Sequence, residues 1–249
     1  MRTPGSVIPG RGLALLGLGL LATTACDSHL GGLELVSGSG NARTESRDVH
    51  GFDQVVLTGI GTLVITQGDT EGLRVQADDN VLPLLRSTVS GSRLELGPKP
   101  RTSISPSTPI RFEVTAKQLR SIRVEGAAEA QAARLTAEQL ALDVEGSGHV
   151  SVGQLSASAL TARIEGSGGA TVGGQVARQT LDVTGSGTYQ GGDLASQQAT
   201  VGVTGSGTCA LRVQDRLDAT VEGSGVVTYA GSPAVTQHVT GAGRVTRAA

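Results

Sequence analysis

Leu142-Asp143-Val144-Glu145-Gly146-Ser147-Gly148-His149-Val150-Ser151-Val152 is the stretch that decides how this chain folds. On both sides of the Gly-Ser-Gly the apolar residues fall at every second position, the period of a strand with one buried face. Gly-Ser-Gly recurs at 146–148, 166–168, 185–187, 205–207 and 223–225, with degenerate copies Gly126-Ala127-Ala128 and Gly241-Ala242-Gly243 at either end. First glycines stand 20, 20, 19, 20, 18 and 18 residues apart, too regular for a low-complexity linker and too long for a heptad. The alternation persists from copy to copy, as Ala162, Ile164, Ala170 and Val172 in one and Leu181, Val183 and Tyr189 in the next. Glycine reaches positive φ at no steric cost, so each copy reads as a tight turn between strands. A lone segment of this kind cannot bury its apolar face, whereas stacked copies bury all of them in one column.

A unit of 18 to 20 residues holding two or three short strands has the size of one β-solenoid coil. Seven stacked motifs at about 4.8 Å each would rise roughly 30 Å. A meander of hairpins closed by the same turns is the rival topology. Equivalent positions carry equivalent chemistry in every copy, which in-register stacking requires and hairpins do not, so the expected fold is an all-β solenoid with parallel coils.

Upstream of the repeats, Gln54–Leu57, Thr62–Gln67, Leu73–Gln76, Arg93–Leu96 and Ile110–Thr115 also alternate as strands. A short helical turn is expected around Asp78 to Leu85, and a loop over Gly97 to Pro109, which contains four prolines. Residues 48–117 are therefore read as degenerate coils forming an N-terminal cap, and 118–249 as the regular repeats. Residues 26–47, with Gly31-Gly32 and Ser37-Gly38-Ser39-Gly40, read as a flexible tether.

Composition removes several classes of function. A 249-residue chain with 38% hydrophobic and 17% charged residues is not of the disordered type. Its 37 glycines have no three-residue period and only 8 prolines accompany them, which excludes a collagen helix. A formal net charge of −2, with no Trp, 2 Tyr and 2 Phe, offers neither the basic surface nor the stacking platforms of a nucleic-acid binder.

The N-terminus begins with Arg2 and Arg11, continues through an apolar run from Leu13 to Ala22 and ends in Thr23-Thr24-Ala25-Cys26. A basic start, a short apolar run and small residues make a secretory signal over residues 1–25. The run is too short to span a bilayer. The cysteine directly after the small residues resembles the lipobox of bacterial lipoproteins, in which Cys26 would be acylated and become the first residue of the mature chain. Thr23 departs from that pattern, where Leu is commoner. Asp27 resembles an inner-membrane retention signal of some enteric bacteria. Loss of residues 1–25 removes two basic residues and no acid, leaving 18 basic and 22 acidic residues and a net charge of −4. With Cys26 acylated, Cys209 has no disulfide partner; its equivalents Val150, Ala170, Tyr189 and Val227 make it a buried small hydrophobe rather than a catalytic thiol.

Gly51-Phe52-Asp53-Gln54-Val55, then Gly59-Ile60-Gly61-Thr62-Leu63-Val64-Ile65-Thr66-Gln67-Gly68-Asp69, the Asp79-Asn80-Val81-Leu82 stretch and the Gly-Ser-Gly series together resemble the bacterial "putative autotransporter adhesin, head GIN domain" family over about residues 48–245. The resemblance implies a right-handed parallel β-helix of the pectin-lyase type, no recognised catalytic centre and a role in adhesion.

Chemistry-bearing motifs are few. His29, His50, His149 and His238 are scattered, so no zinc pattern exists, and no nucleophile elbow or P-loop occurs. Cofactor and metal are accordingly not expected, and the chain is read as non-enzymatic. The most suggestive polar feature is a row ahead of the turns, Glu125, Glu145, Glu165, Thr184, Thr204, Glu222 and Thr240. In register, its carboxylates would stand about 5 Å apart and could bind a cation or a ligand, or act as acid and base. The plainer reading is an outward polar row relieved by water, Arg123 and Arg163. Threonines on both sides of the turns at 184–188 and 204–208 could likewise bind ice or glycans, or simply suit a strand.

The expected function is thus a lipid-anchored β-helix of the cell envelope, facing the periplasm or the outer surface, for adhesion or protein contacts. Its partners would be the membrane and a protein or glycan ligand, with self-association at an open edge. A polysaccharide-acting enzyme using the Glu row and a periplasmic envelope-maintenance factor are the alternatives.

Overall fold

The computed structural model describes residues 34–248. The expected signal peptide, Cys26 and the first part of the expected tether lie outside that range. The first half comprises β1 (Glu34–Ser37), β2 (Ala42–Arg47), β3 (Gln54–Gly59), β4 (Thr62–Gln67), β5 (Gly72–Asp78), a single 3-10 turn (Leu82–Leu84), β6 (Leu85–Ser90), β7 (Arg93–Pro98), β8 (Thr102–Ser105) and β9 (Arg111–Ala116). The second half opens with β10 (Ser121–Gly126). Five long bent strands follow: β11 (Glu129–Gly146), β12 (His149–Gly166), β13 (Gly169–Gly185), β14 (Thr188–Gly205) and β15 (Thr208–Gly223). The chain finishes with β16 (Val226–Ala230), β17 (Ala234–Gly241) and β18 (Arg244–Arg247), and no α-helix occurs among the described residues.

Each long strand belongs to one coil of a β-solenoid. Successive coils pair in parallel and in register, so that Leu142 lies beside Ala162, Ala162 beside Leu181, Leu181 beside Val201 and Val201 beside Ala219. Hairpins would pair antiparallel, so the solenoid is the topology adopted. Pairing between β11 and β12 skips Ala133 and Glu138, where the coil bends. Those two corners and the Gly-Ser-Gly turn divide a coil into three short faces. The unequal repeat lengths are absorbed largely at a corner. Register slips between Val152 and Leu155, between Thr171 and Gly174 and between Gly191 and Ala195, while the strand carrying Leu142 and its equivalents stays aligned.

Inward positions build the core. Leu57, Val124, Val144, Ile164, Val183, Val203 and Val221 form one buried column, largely of β-branched residues that pack well on a pleated surface. Every turn also packs on the turn before it. Gly166 has φ +112°, and a Cβ there would lie 2.6 Å from the carbonyl oxygen of Gly146. At Gly168 a Cβ would meet the Gly148 oxygen at 2.4 Å and Val144 Cγ1 at 2.7 Å. The first glycine therefore supplies a left-handed conformation and the last supplies room for the neighbouring coil. Ser167 between them is exposed, and its N–H donates to the Gly146 oxygen at 2.9 Å.

The first half departs from the expected simple run of degenerate coils. β3 and β4 do form a coil beside β10 and β11, with Gly59-Ile60-Gly61 standing where later coils have Gly-Ser-Gly. The next coil outward comes from later sequence, because β7 lies beside β3 and β9 beside β4. The coil of residues 54–67 is thus sandwiched between one made from 93–116 and one made from 121–132. Antiparallel pairs β2–β5, β5–β9 and β6–β7 close this end. The helical turn expected near 78–85 is present as the 3-10 turn.

Two expectations are corrected here. Residues 34–47 are not tether: β1 pairs in parallel with β8, and β2 pairs with β5. Arg47 fixes β2 further, its Nη1 donating to the Leu85 oxygen at 2.8 Å and its Nη2 to the Leu82 oxygen at 2.7 Å. The segment 97–109 is likewise not wholly loop, since it contains β8. Polar and hydroxylated residues hid β2 and β8, and all three strands find their partners far away in sequence.

Candidate functional site

The row anticipated from the repeats is a true column. Thr58, Glu125, Glu145, Glu165, Thr184, Thr204, Glu222 and Thr240 are successive register partners on the outward side of one face. Two positions earlier runs a second outward column, Arg123, Asp143, Arg163, Asp182, Gly202, Thr220 and His238, whose first four members alternate in charge.

Arg123 organises the N-terminal end of this face. Its guanidinium lies 3.1 Å from Glu145, 3.5 Å from Asp143 and 4.0 Å from Glu125. Glu125 also accepts from the Thr58 hydroxyl at 3.1 Å. Arg163, the second expected counter-ion, makes no ion pair within 4.0 Å among the described residues. Glu165 and Glu222 are exposed to water. No three His, Cys, Asp or Glu side chains among the described residues gather as metal ligands do.

Concave surface lies elsewhere. A groove of about 620 Å³ is lined by Asp53, Gln67, Lys117, Arg120, Thr136 and Gln139, where Arg120 Nε is 3.0 Å from Asp53 Oδ1. Another of about 760 Å³ lies on the cap, among Arg47, Glu71, Arg74 and Glu113. Neither includes a residue of the acid row.

Two buried polar groups were not anticipated. Asp78 is fully buried, and burial alone would raise its pKa. Backbone N–H groups of Thr108, Gly40 and Ser107 and the Thr108 hydroxyl all donate to its carboxylate and hold the pKa below the ordinary value. It thereby latches the β1–β8 ribbon to the end of β5. In the core, the Tyr189 hydroxyl donates to Gln179 Oε1 at 3.1 Å. Gln179 Nε2 donates to Ser196 Oγ at 2.7 Å, and Ser196 Oγ donates to the Arg212 oxygen at 2.9 Å. A signal for this chain was present, because Gln179 occupies a column otherwise filled by Leu140, Leu160, Ala199 and Leu217. Asp78 had none: an aspartate at the end of a strand is ordinary, and its partners come from two remote segments. Tyr189 points inward and Cys209 is buried, as their positions in the repeat require.

This architecture has recognised relatives. The family model described as "Putative auto-transporter adhesin, head GIN domain" matches residues 51–233. The chain belongs to that family. The "putative adhesin" of Bacteroides fragilis NCTC 9343 has a solved structure similar to this head GIN chain, with TM-score 0.80 and 22% identity over 86% of this chain and all of that one. The "putative lipid binding protein" of Parabacteroides distasonis ATCC 8503 follows with TM-score 0.75 and 21% identity, over 87% of this chain and 100% of its own. A "putative adhesin" from Parabacteroides merdae ATCC 43184 gives TM-score 0.70 and 21% identity, over 86% of this chain and 99% of its own. At these identities the likeness establishes the fold. None of the curated proteins matches the chain.

Proposed function

We propose that this head GIN protein is a non-enzymatic, lipid-anchored component of the cell envelope whose solenoid presents rigid outward faces for adhesion or protein contacts. The observation that carries the reading is the in-register outward lattice. Columns such as Glu125, Glu145, Glu165, Thr184, Thr204, Glu222 and Thr240 offer a partner repeated polar groups about 4.8 Å apart on a stiff backbone. The word "adhesin" in the family description agrees with this role. Lipid anchoring is supported by the lipobox-like Thr23-Thr24-Ala25-Cys26. Fractionation of cells carrying the wild-type chain and Cys26→Ser tests the anchor. The wild type is expected in the membrane fraction with a mass increased by acyl chains and the variant in the soluble fraction; an unacylated wild-type chain overturns it. For the presenting face, purified Cys26→Ser protein binding to host-matrix and bacterial surfaces should fall when Glu145 and Glu165 become Gln. Released sugar ends that vanish in that same double variant would instead establish a glycan-cleaving enzyme.

Self-association belongs to the same reading. In the last described coil the inward-column residues Val235 and Val239 are 38% and 37% exposed, so they can meet a second copy. Sedimentation of the wild type against Val239→Glu tests this: a dimer lost in the variant supports it, and a monomer at all concentrations refutes it.

A further inference from the structure

We propose that the β1–β8 ribbon is the membrane-facing surface of the domain, docking on the headgroups of an anionic phospholipid bilayer; this rests on the lipid-anchor reading above. Leu35 is 69% exposed, far more than Val235 or Val239. It sits in register with exposed Ser103, while their neighbours Val36 and Ile104 take the opposite side of the ribbon and Ile104 packs on the core. Lys99 and Arg101 are exposed at the turn entering β8, which is closed by the Thr102 N–H donating to the Lys99 oxygen at 3.2 Å. Arg101 has φ 63° and is the one non-glycine residue with positive φ among the described residues. The turn holds Arg101 in a backbone conformation that costs energy, two residues before Ser103, the register partner of uncovered Leu35. An exposed apolar residue with cations at the same end of the ribbon is the pairing that enters an interface of negative headgroups and acyl chains.

Reach and charge agree with this. Seven residues lie between Cys26 and Glu34, and the eight steps they make keep β1 within about 28 Å of an acylated Cys26. Residues 34–120 carry ten basic and ten acidic side chains, whereas 121–248 carry eight and eleven. An anionic surface therefore repels the repeat column more than the cap. The ribbon is also fastened to the body, by the Gly38 N–H to the Ser105 oxygen at 2.9 Å and by Asp78, so docking it orients the whole solenoid.

The test uses the full acylated chain in phosphatidylcholine vesicles with and without phosphatidylglycerol, carrying an environment-sensitive fluorophore at Ser103→Cys or, for comparison, at exposed Ser206→Cys. Brominated lipid should quench the fluorophore at 103 and not at 206, and only with phosphatidylglycerol present. Lys99→Gln with Arg101→Gln should lower the docked-to-free ratio about 30-fold, two cations each contributing about 1 kcal/mol near such a surface. Equal quenching at both positions, or quenching at 103 unchanged in the double variant, overturns the docking. The mass of the same sample separates the two readings. A chain without acyl groups refutes the anchor and the docking with it, whereas an acylated chain with equal quenching refutes the docking alone.

Discussion

Replacing single atoms in the Gly166-Ser167-Gly168 turn should give three different answers. Gly166→Ala places a Cβ 2.6 Å from the Gly146 oxygen at φ +112°. A side chain in such a conformation costs about 1–3 kcal/mol, and forced overpacking adds about 1–3 more. Gly168→Ala meets the Gly148 oxygen at 2.4 Å and Val144 Cγ1 at 2.7 Å with no positive φ, so only the overpacking of about 1–3 kcal/mol applies. Ser167→Ala removes an exposed hydroxyl and leaves the backbone bond to Gly146 intact, which costs less than about 0.5 kcal/mol. Gly192→Ala, where an added Cβ meets nothing within 4 Å, is the control for glycine replacement as such. Urea unfolding gives the free energies, and melts should follow at about 2–4 °C per kcal/mol for a domain of this size. The order Gly166→Ala, then Gly168→Ala, then Ser167→Ala close to wild type is expected. Gly166→Ala and Ser167→Ala of equal stability would refute the stacked-turn account.

Tyr189→Phe removes the donor to Gln179 Oε1 and should cost about 1–3 kcal/mol in urea unfolding, whereas the triple variant Tyr189→Phe, Gln179→Leu, Ser196→Ala should recover most of the loss. Burial pushes the Cys209 thiol up to about 12 from 9.0. The unfolded chain thus releases this proton first, and stability should fall as pH rises from about 9 toward 12. At neutral pH a thiol reagent should label Cys209 only after unfolding, and rapid labelling of native protein would contradict its burial. Asp78→Asn replaces an acceptor of three backbone N–H groups with a side chain that is half donor, so limited proteolysis should cut first near 38–40 and 105–108. In the wild type the depressed Asp78 pKa makes its contribution present above the ordinary carboxylate value, and it should be lost as pH falls through the folded value; ribbon protection unchanged on acidification would contradict the latch.

The repeat half was legible because its information is local and redundant. Each copy states the same alternation, so Tyr189 and Cys209 could be placed inward, and Glu125, Glu145, Glu165 and Glu222 in one column, from parity and spacing alone. The unequal spacings caused no error because a corner absorbs them. The first half was less legible because its pairings are remote. Nothing near β7 says that it lies outside β3, and nothing in Glu34–Ser37 says that Thr102–Ser105 is its partner. Arg47 and Asp78 hold that region through bonds to segments more than 25 residues away, which sequence periodicity does not register. Within the acid row, the sequence suggested two counter-ions, and only Arg123 reaches its carboxylates.

Labelling of Ser206→Cys by a membrane-impermeant maleimide, on intact and on lysed cells, tests the central functional claim most directly. Ser206 is exposed at a turn and Cys209 is buried, so an acylated chain gives little background. An adhesive face requires labelling on intact cells at the level reached after lysis. Labelling only after lysis would place the solenoid inside the envelope and contradict adhesion.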